Sequence, residues 1–478
     1  MNIAIVGCGN VGFETARLLA DRHALLLVNR SRPADLARFV DENDRVSFAQ
    51  ADAADPRGIQ EAFAGFEERV GPLDALISTV GVPGVASALD GYARFKEEFR
   101  LNVFANLVPV KIALDHMAAH RQGKIVAISS TSGVHTYPGW GAYAPAKWAL
   151  TNLCRTLRKE AGPHGIAVDV VFPRTIRNQR SKTFLNDAGV EPLQVAREVV
   201  KVLAAARPCD RFVPRRHALL RVLERVFPQV LDRKAGLRKD RCCRFRAESA
   251  HRVLIHEPDA SLGLELARRY AATAKALYLA GSDEPVLTTI EKELGHSSSC
   301  TVEGVVLPEG DADAVQRLAV QTGTVDLIVH CGVSSSPAEL REMSFDACEQ
   351  SMEVSFFQPL QVLMAYARQE VRPRKIVNVL SMSAVTGRAQ YACWSAAQAA
   401  LWAQTRALRR TMGNDVQVME VLLSEWDGPR GERSGNGAIC EAADRICDAE
   451  QRGREIVVFP LHRRIAMVLD AIGLRRFS

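Results

Sequence analysis

The sequence predicts an α/β chain built as two doubly wound parallel-sheet domains in tandem. Three observations carry this. A short apolar run at the start opens into a glycine turn and then a helical pattern. Strand and helix patterns go on alternating to the end of the chain, as expected for a parallel sheet covered on both faces. A cassette also recurs: Ser130, Tyr143 and Lys147 are matched, each 251 residues later, by Ser381, Trp394 and Gln398. At 478 residues the chain exceeds one ordinary core, and the repeat divides it into halves of roughly 240 residues. The expected boundaries are 1–206 for a first domain, 207–249 for a basic extension and linker, and 250–478 for a second domain.

The first strand is expected at 2–7. It leads into Gly7-Cys8-Gly9-Asn10-Val11-Gly12 and a helix from Phe13. Gly7 permits the tight turn, Gly9 lets backbone approach a pyrophosphate, and Gly12 allows close helix–strand packing. With Asn10 and Val11 at the helix start, the phosphates of a dinucleotide would rest on that helix N-terminus. The second strand, 24–28, ends at Asn29-Arg30-Ser31-Arg32. A carboxylate here would bind a ribose 2′-hydroxyl, whereas an arginine suits a 2′-phosphate through charge-assisted bonds. Arg30 therefore favours NADP(H) over NAD(H), against the plainer reading of an exposed loop charge. Further strands are expected near 46–50, 74–80 and 124–129. Asp52 closes the third, placed either to accept from an adenine amino group or to make a turn.

Tyr143 and Lys147 are four residues apart, so a helix projects them from one face. A free phenol has a pKa of about 10, and a neighbouring ammonium stabilises its phenolate, bringing it toward general acid–base use. The second cassette has lost this chemistry. Trp394 donates an N–H it cannot give up at physiological pH, and Gln398 carries no charge. The chain thus reads as one working site and one silent copy.

Glycine turn, Asp52, Asn102 in Arg-Leu-Asn-Val-Phe, Ser130 in Ile-Val-Ala-Ile-Ser-Ser, and Tyr143-x-x-x-Lys147 occur in this order. Across the whole first half this resembles the short-chain dehydrogenase/reductase family, with its Rossmann-like fold. The resemblance implies Tyr143 as general acid/base, Ser130 bonded to the substrate carbonyl, and Asn102 wiring a proton-relay water. It implies that Lys147 lowers the Tyr143 pKa and holds the nicotinamide ribose, and that Gly81, Pro173 and Ile176 line the cofactor. Three departures stand out: a glycine turn one residue short, Ser78-Thr79-Val80-Gly81 in place of Asn-Asn-Ala-Gly, and Pro173-Arg174 in place of Pro-Gly. The substrate lid is expected at about 175–195.

In the second half a first strand is expected at 252–256, and its turn, Glu257 to Gly263, keeps only the last glycine. Glu257 and Asp259 put negative charge where a pyrophosphate would lie, so cofactor binding is not expected here. Pro308 and Ser355 are the expected counterparts of Asp52 and Asn102, and Val329 to Gly332 those of Ser78 to Gly81. His256 and His330, at strand ends, read as structural. The halves close on similar tails, Arg211-Phe-Val-Pro and Val457-Val-Phe-Pro. The resemblance implies that the silent half serves as an attached pseudo-subunit, or that homo-oligomers form.

Hydrophobic residues at 47% and charged residues at 24% fit a globular chain. No apolar run approaches the ~18–20 residues that span a bilayer, and the first strand leaves no room for a signal sequence, so the expected location is the cytoplasm. The eleven cysteines lack a pairing pattern and are expected reduced; Cys242-Cys243 as a metal or redox site is the lesser alternative, and no metal centre is expected. The net charge of +6 is concentrated in residues 207–246, where thirteen Arg/Lys face four Asp/Glu. This stretch reads first as a solvated connector and second as a surface for an acidic carrier or anionic lipid; nucleic acid is not expected. The segment at 217–231 is amphipathic, suited to the fold's own core or to a membrane surface. Together these features point to reduction of a small-molecule ketone or aldehyde, including a carrier-borne 3-oxoacyl thioester. The alternative is a non-enzymatic NADP-binding sensor or scaffold.

Overall fold

The structure, a computed structural model, describes the chain except residues 83, 85–86, 90, 138, 178–188, 227–250, 260, 296–299, 333–335, 414, 424–435 and 460–478. Its first sheet comprises β1 (Asn2–Val6), β2 (Ala24–Asn29), β3 (Val46–Gln50), β4 (Ala75–Ser78), β5 (Gly123–Ile128), β6 (Ile166–Pro173) and β7 (Asp210–Val213). The strand order is β3-β2-β1-β4-β5-β6-β7, and every ladder is parallel. Ile3 to Val6, Leu25 to Val28 and Ala75 to Ser78 are buried, because helices cover both faces of the sheet. The order reverses between β1 and β4, where Val6 pairs with Ser78. A crevice at the carboxyl ends of strands opens at such a reversal.

The second half repeats this layout in β8 (Arg252–His256), β9 (Ala276–Gly281), β10 (Thr301–Val306), β11 (Leu327–His330), β12 (Lys375–Ser381), β13 (Gln417–Leu423) and β14 (Ile456–Phe459). Their order is β10-β9-β8-β11-β12-β13-β14, again parallel throughout. The two similar tails are the seventh strands, β7 and β14. Expected and observed strands agree within two residues, and the folding pattern outlasts the second cassette's chemistry.

The halves pack on each other through the helices that carry the two cassettes, Tyr143–Ala161 and Ala392–Met412, both largely buried. Trp148 and Trp402 meet edge to face at 4.9 Å, and Phe99 stacks on Phe356 at 4.6 Å. Asn152 Nδ2 donates to the carbonyls of Ser383 and Ala384, both at 2.9 Å. Glu160 accepts from the backbone N–H groups of Leu340 and Gln390 at 3.1 and 2.7 Å. The second half therefore packs directly on the first through this pair of helices.

The described part of the basic stretch is only partly solvated: Arg207, Arg215 and Arg216 are exposed, while other residues are built into the fold. β7 lies inside it, and Asp210 pairs with Arg155, Arg158 and Arg221. The amphipathic helix Ala218–Val226 turns inward: Glu224 is buried, and Arg225 Nη2 donates to the Val385 carbonyl of the second half at 3.0 Å. Residues 227–250, with Cys242 and Cys243, lie outside the described residues. So does most of the expected lid. Among the described residues no helix is long and apolar enough to cross a membrane, and no cluster of His, Cys, Asp or Glu could hold a metal ion.

Candidate active site

The first glycine turn has the geometry of a dinucleotide cradle. Gly7 sits at φ +90°, where a side chain would be strained, and a Cβ on Gly12 would lie 2.2 Å from the Gly7 carbonyl oxygen. A Cβ on Gly9 would meet nothing within 4 Å, so that face of the turn is open. The helix Asn10–Leu19 has no side-chain cap, leaving its first N–H groups available to an anion. Asn29 is committed to holding the turn: Oδ1 accepts from the Cys8 N–H at 3.2 Å and Nδ2 donates to the Ser31 carbonyl at 2.8 Å. Arg30 is exposed and forms no ion pair among the described residues, whereas Arg32 is paired with Asp41 at 2.6 Å. These residues fit a dinucleotide.

Asp52 lies two residues beyond β3 and makes a turn. Its Oδ1 accepts from Ala54 N–H at 3.0 Å, and Oδ2 lies 3.4 Å from Arg100. Pro173 closes β6, and Ile176 bridges to Val190.

Ser130, Tyr143 and Lys147 come together at the carboxyl ends of β4 and β5. Ser130 follows β5 and caps the short turn after it, accepting from the Ser132 N–H at 3.1 Å. Tyr143 starts its helix and is hydrogen-bonded to Ser130. Pro145 is tolerated because it falls in the first turn, where no intrahelical N–H bond is lost. Lys147 Nζ sits 5.9 Å from the Tyr143 ring centroid and donates to the Ile128 carbonyl at 3.4 Å. Gly81 makes room for it: a Cβ there would be 2.8 Å from Lys147 Nζ and 3.2 Å from Asn102 Oδ1.

Asn102 lies in a π-helical turn, Arg100–Phe104, between the helices Tyr92–Phe99 and Ala105–His120. The turn breaks the helical period and aims the Asn102 side chain at the loop after β4. There Oδ1 accepts from the Val82 N–H at 3.2 Å and Nδ2 donates to the Val82 carbonyl at 3.1 Å.

Burial pushes the Tyr143 phenol up to about 12, with the Ser130 hydrogen bond pulling it partly back. The same burial pulls Lys147 down to about 8, opposed by the charge of Glu98. A low-dielectric pocket disfavours phenolate and ammonium alike, and at this separation the ammonium does not reverse that. The resting phenol is a firmly protonated acid. Glu98 is a site residue that the sequence reading misses, although its spacing of four from Asn102 on a helical pattern places it on the same face.

The sequence matches the short chain dehydrogenase family over residues 1–188 and again over 252–430. The chain belongs to that family. It is a short-chain oxidoreductase carrying the family's fold twice. Among curated relatives, "Inactive 2-(S)-hydroxypropyl-CoM dehydrogenase 2" of Xanthobacter autotrophicus is 32% identical over 155 residues, covering 32% of this chain and 66% of that one. "Short chain aldehyde dehydrogenase 1" of Euphorbia lathyris is 26% identical over 209 residues, 42% of this chain and 72% of that one. Two solved structures follow nearly the whole chain: the N-domain and the C-domain of bacterial malonyl-CoA reductase, each with NADP. Their TM-scores are 0.69 and 0.70, at 16% and 14% identity, covering 97% and 96% of this chain and 98% of each of those. At such identity the likeness is one of fold, and it includes the tandem arrangement.

The second short chain dehydrogenase unit has filled its own cradle. Glu257 occupies the place of Gly7 at φ +52°, and its carboxylate accepts from the Ser282 N–H at 3.1 Å, just beyond β9. Asp259 accepts from the Gly263 and Ser261 N–H groups at 2.7 and 3.1 Å, so a carboxylate already sits where a phosphate would bind the helix. These residues do not fit a dinucleotide.

Pro308 does match Asp52, since Leu307 N–H bonds the Gly281 carbonyl as Ala51 N–H bonds that of Asn29. Ser355 matches Asn102 as the third residue of an equivalent π-helical turn, Glu353–Phe357. The strand register corrects one pairing: His330, not Val329, is the counterpart of Ser78, because His330 pairs with His256 as Ser78 pairs with Val6. His256 and His330 are also not isolated; their Nδ1 atoms lie 2.9 Å apart and the rings stack. Gln398 Oε1 accepts from the Ser381 N–H at 3.1 Å, holding the dead cassette together with no titratable group.

Proposed function

We propose that the first half is an NADPH-dependent carbonyl reductase with Tyr143 as general acid, and that the second half binds no cofactor. The observation that supports this most is the grouping of Ser130, Tyr143 and Lys147 beside an open glycine cradle in the first half alone.

When bound, NADPH supplies a hydride to the substrate carbonyl carbon. The residues of the chain do the rest. Gly7, Gly9 and Gly12 hold the pyrophosphate on the uncapped helix, and Arg30 pairs with the 2′-phosphate. Asp52 accepts from the adenine amino group, while Gly81, Pro173 and Ile176 bound the nicotinamide end. Ser130 donates to the carbonyl oxygen, polarising it and placing it beside the Tyr143 hydroxyl. Tyr143 would give its proton to the substrate oxygen. Lys147 then faces the new phenolate, and Asn102 supports the water that returns the proton. Burial keeps the Tyr143 phenol protonated at rest, and stabilisation of the phenolate by Lys147 is what donation then calls for.

The favoured substrates are aldehydes and thioester-borne ketones. The aldehyde in the name of one relative and the thioester in that of the malonyl-CoA reductase neighbours support that class. The test is titration of the full chain with NADPH and NADH, read by fluorescence and calorimetry, followed by turnover on a carbonyl panel. One NADPH per chain and turnover lost in Tyr143→Phe support the reading. Two per chain overturn the silent second half, turnover untouched by Tyr143→Phe overturns Tyr143 as the acid, and binding without turnover across the panel turns the assignment to a sensor or scaffold.

A further inference from the structure

Glu98 is a buried carboxylate at the end of the helix Tyr92–Phe99, only 3% exposed and flanked on that helix by buried Phe95 and Phe99. A carboxyl group in such surroundings costs stability unless it is fully bonded. Both of its oxygens are engaged. Oε1 accepts from Arg94 Nη2 at 2.7 Å, and Oε2 accepts from Asn102 Nδ2 at 3.0 Å. The chain also makes space for it: a Cβ on Gly84 would fall 1.7 Å from Glu98 Oε1, so a side chain there would displace the carboxylate.

Two consequences follow from this placement. A carboxylate only accepts, so it fixes which end of the Asn102 amide faces it. Nδ2 is held by the Glu98 carboxylate together with the backbone carbonyls of Glu98 and Val82, and Oδ1, which accepts from the Val82 N–H, is held toward Gly81. The Lys147 ammonium converges on the same spot, since one Cβ position on Gly81 lies within 3.2 Å of both. Glu98 is also the acidic group that acts on Lys147 from outside its own helix. The charged groups acting on Glu98 are Arg94 and Glu97 from its own helix and Lys147 from the Tyr143–Ala161 helix.

We propose that Glu98 is a positioning residue for the reaction, locking the Asn102 amide in its relay orientation and supplying the counter-charge that keeps Lys147 an ammonium. This rests on the carbonyl-reductase reading for its effect on turnover, but its effect on Lys147 can be read without turnover. Burial favours the neutral amine on Lys147 and the carboxylate opposes it; the same carboxylate holds the proton on Tyr143. Removing the charge lets both groups lose protons at lower pH.

The test uses the full chain carrying Glu98→Gln, which keeps size and one accepting oxygen while removing the charge. The alkaline limb of its kcat/KM profile is expected to move acid-ward by about one pH unit, with at least a tenfold loss at the alkaline end. In parallel, 13Cε-lysine NMR, with Lys147 assigned through Lys147→Met, follows the ammonium directly. Its titration is expected to move the same way, whether or not a substrate has been found. A fall in activity at all pH values with both titrations unmoved would mark Glu98 as structural only and overturn the proposal. So would an unmoved Lys147 titration in a protein that shows no turnover. Absence of turnover in wild type, with the NMR shift present, would instead sink the reductase reading and leave the electrostatic role standing.

Discussion

Glu224, on the helix that closes the first half, accepts from Arg410 of the second half at 3.0 Å. The same carboxylate lies 3.1 Å from Arg406 and is hydrogen-bonded to His135 in the loop between Ser130 and Tyr143. Arg406 continues to Glu420 at 2.6 Å, and Arg409 joins Glu420 at 3.3 Å. All of these charges are buried. The ion network therefore ties the second half to the loop between Ser130 and Tyr143 in the first. Arg410 and His135 hold the Glu224 carboxyl well below the usual carboxylate range, against the cost of burial.

Removing one member of such a network strands its partners. Glu224→Ala is expected to destabilise the chain by about 3–5 kcal/mol, since two guanidiniums lose their shared carboxylate. Chemical denaturation checks this, and a change below about 1 kcal/mol would mean that the network adds little. The pH dependence has a definite sign. A depressed carboxyl gives stability that is present above its unfolded pKa near 4.5 and lost as pH falls below it, so the cost of Glu224→Ala should shrink in acid.

Arg30 carries the second prediction. Its guanidinium is exposed and free of ion pairs among the described residues, so its loss costs no internal contact. Charge-assisted bonds to phosphate are worth about 1.5–3 kcal/mol. Arg30→Ala should therefore weaken NADPH binding by about 10- to 100-fold while changing NADH binding less than about threefold. Calorimetric titration with both nucleotides decides it. Equal losses for the two would mean that Arg30 touches no 2′-phosphate, and the cofactor preference would have to come from elsewhere.

Why some of this was legible in sequence and some was not has a physical basis. The first five strands of the first sheet and the opening strand of the second were readable because buried parallel strands are short apolar runs bounded by turns, and the glycines mark backbone that no side chain permits. Ser355 and Pro308 were placed correctly by pattern alone. The one-residue slip at Val329 arose because an apolar run does not state its own register, whereas the pairing of His330 with His256 does. The phenol's resting state was missed for a related reason. A YxxxK spacing shows which groups approach each other but not how dry their surroundings are, and at Tyr143 burial outweighs the ammonium. The basic stretch misled similarly: its charges are countable in sequence, but the burial of Glu224 and the pairing of Arg155, Arg158 and Arg221 around Asp210 depend on contacts distant along the chain.

The stacked pair of His256 and His330 gives the last prediction. Both rings are buried at the strand-order reversal of the second sheet, and among the described residues neither Nε2 has a partner. Burial pulls His330 down to about 3, and burial with the neighbouring ring pulls His256 well below 6.5. The unfolded chain then binds more protons than the native one between pH 6.5 and 3. Stability is full above 6.5 and falls as pH drops, by about 1.4 kcal/mol per pH unit for each histidine that the fold keeps neutral. Glu160 and Glu257, both pushed up to about 7 by burial, act in the opposite sense, gaining stability as pH falls toward 4.5. A comparison with His330→Ser isolates the imidazole, because serine is what the first half carries at the equivalent Ser78. The stability of wild type relative to His330→Ser should decline steadily as pH falls from 6.5 to 4. Melting curves across that range test it, and a difference that does not vary with pH would mean that His330 is not held neutral by the fold.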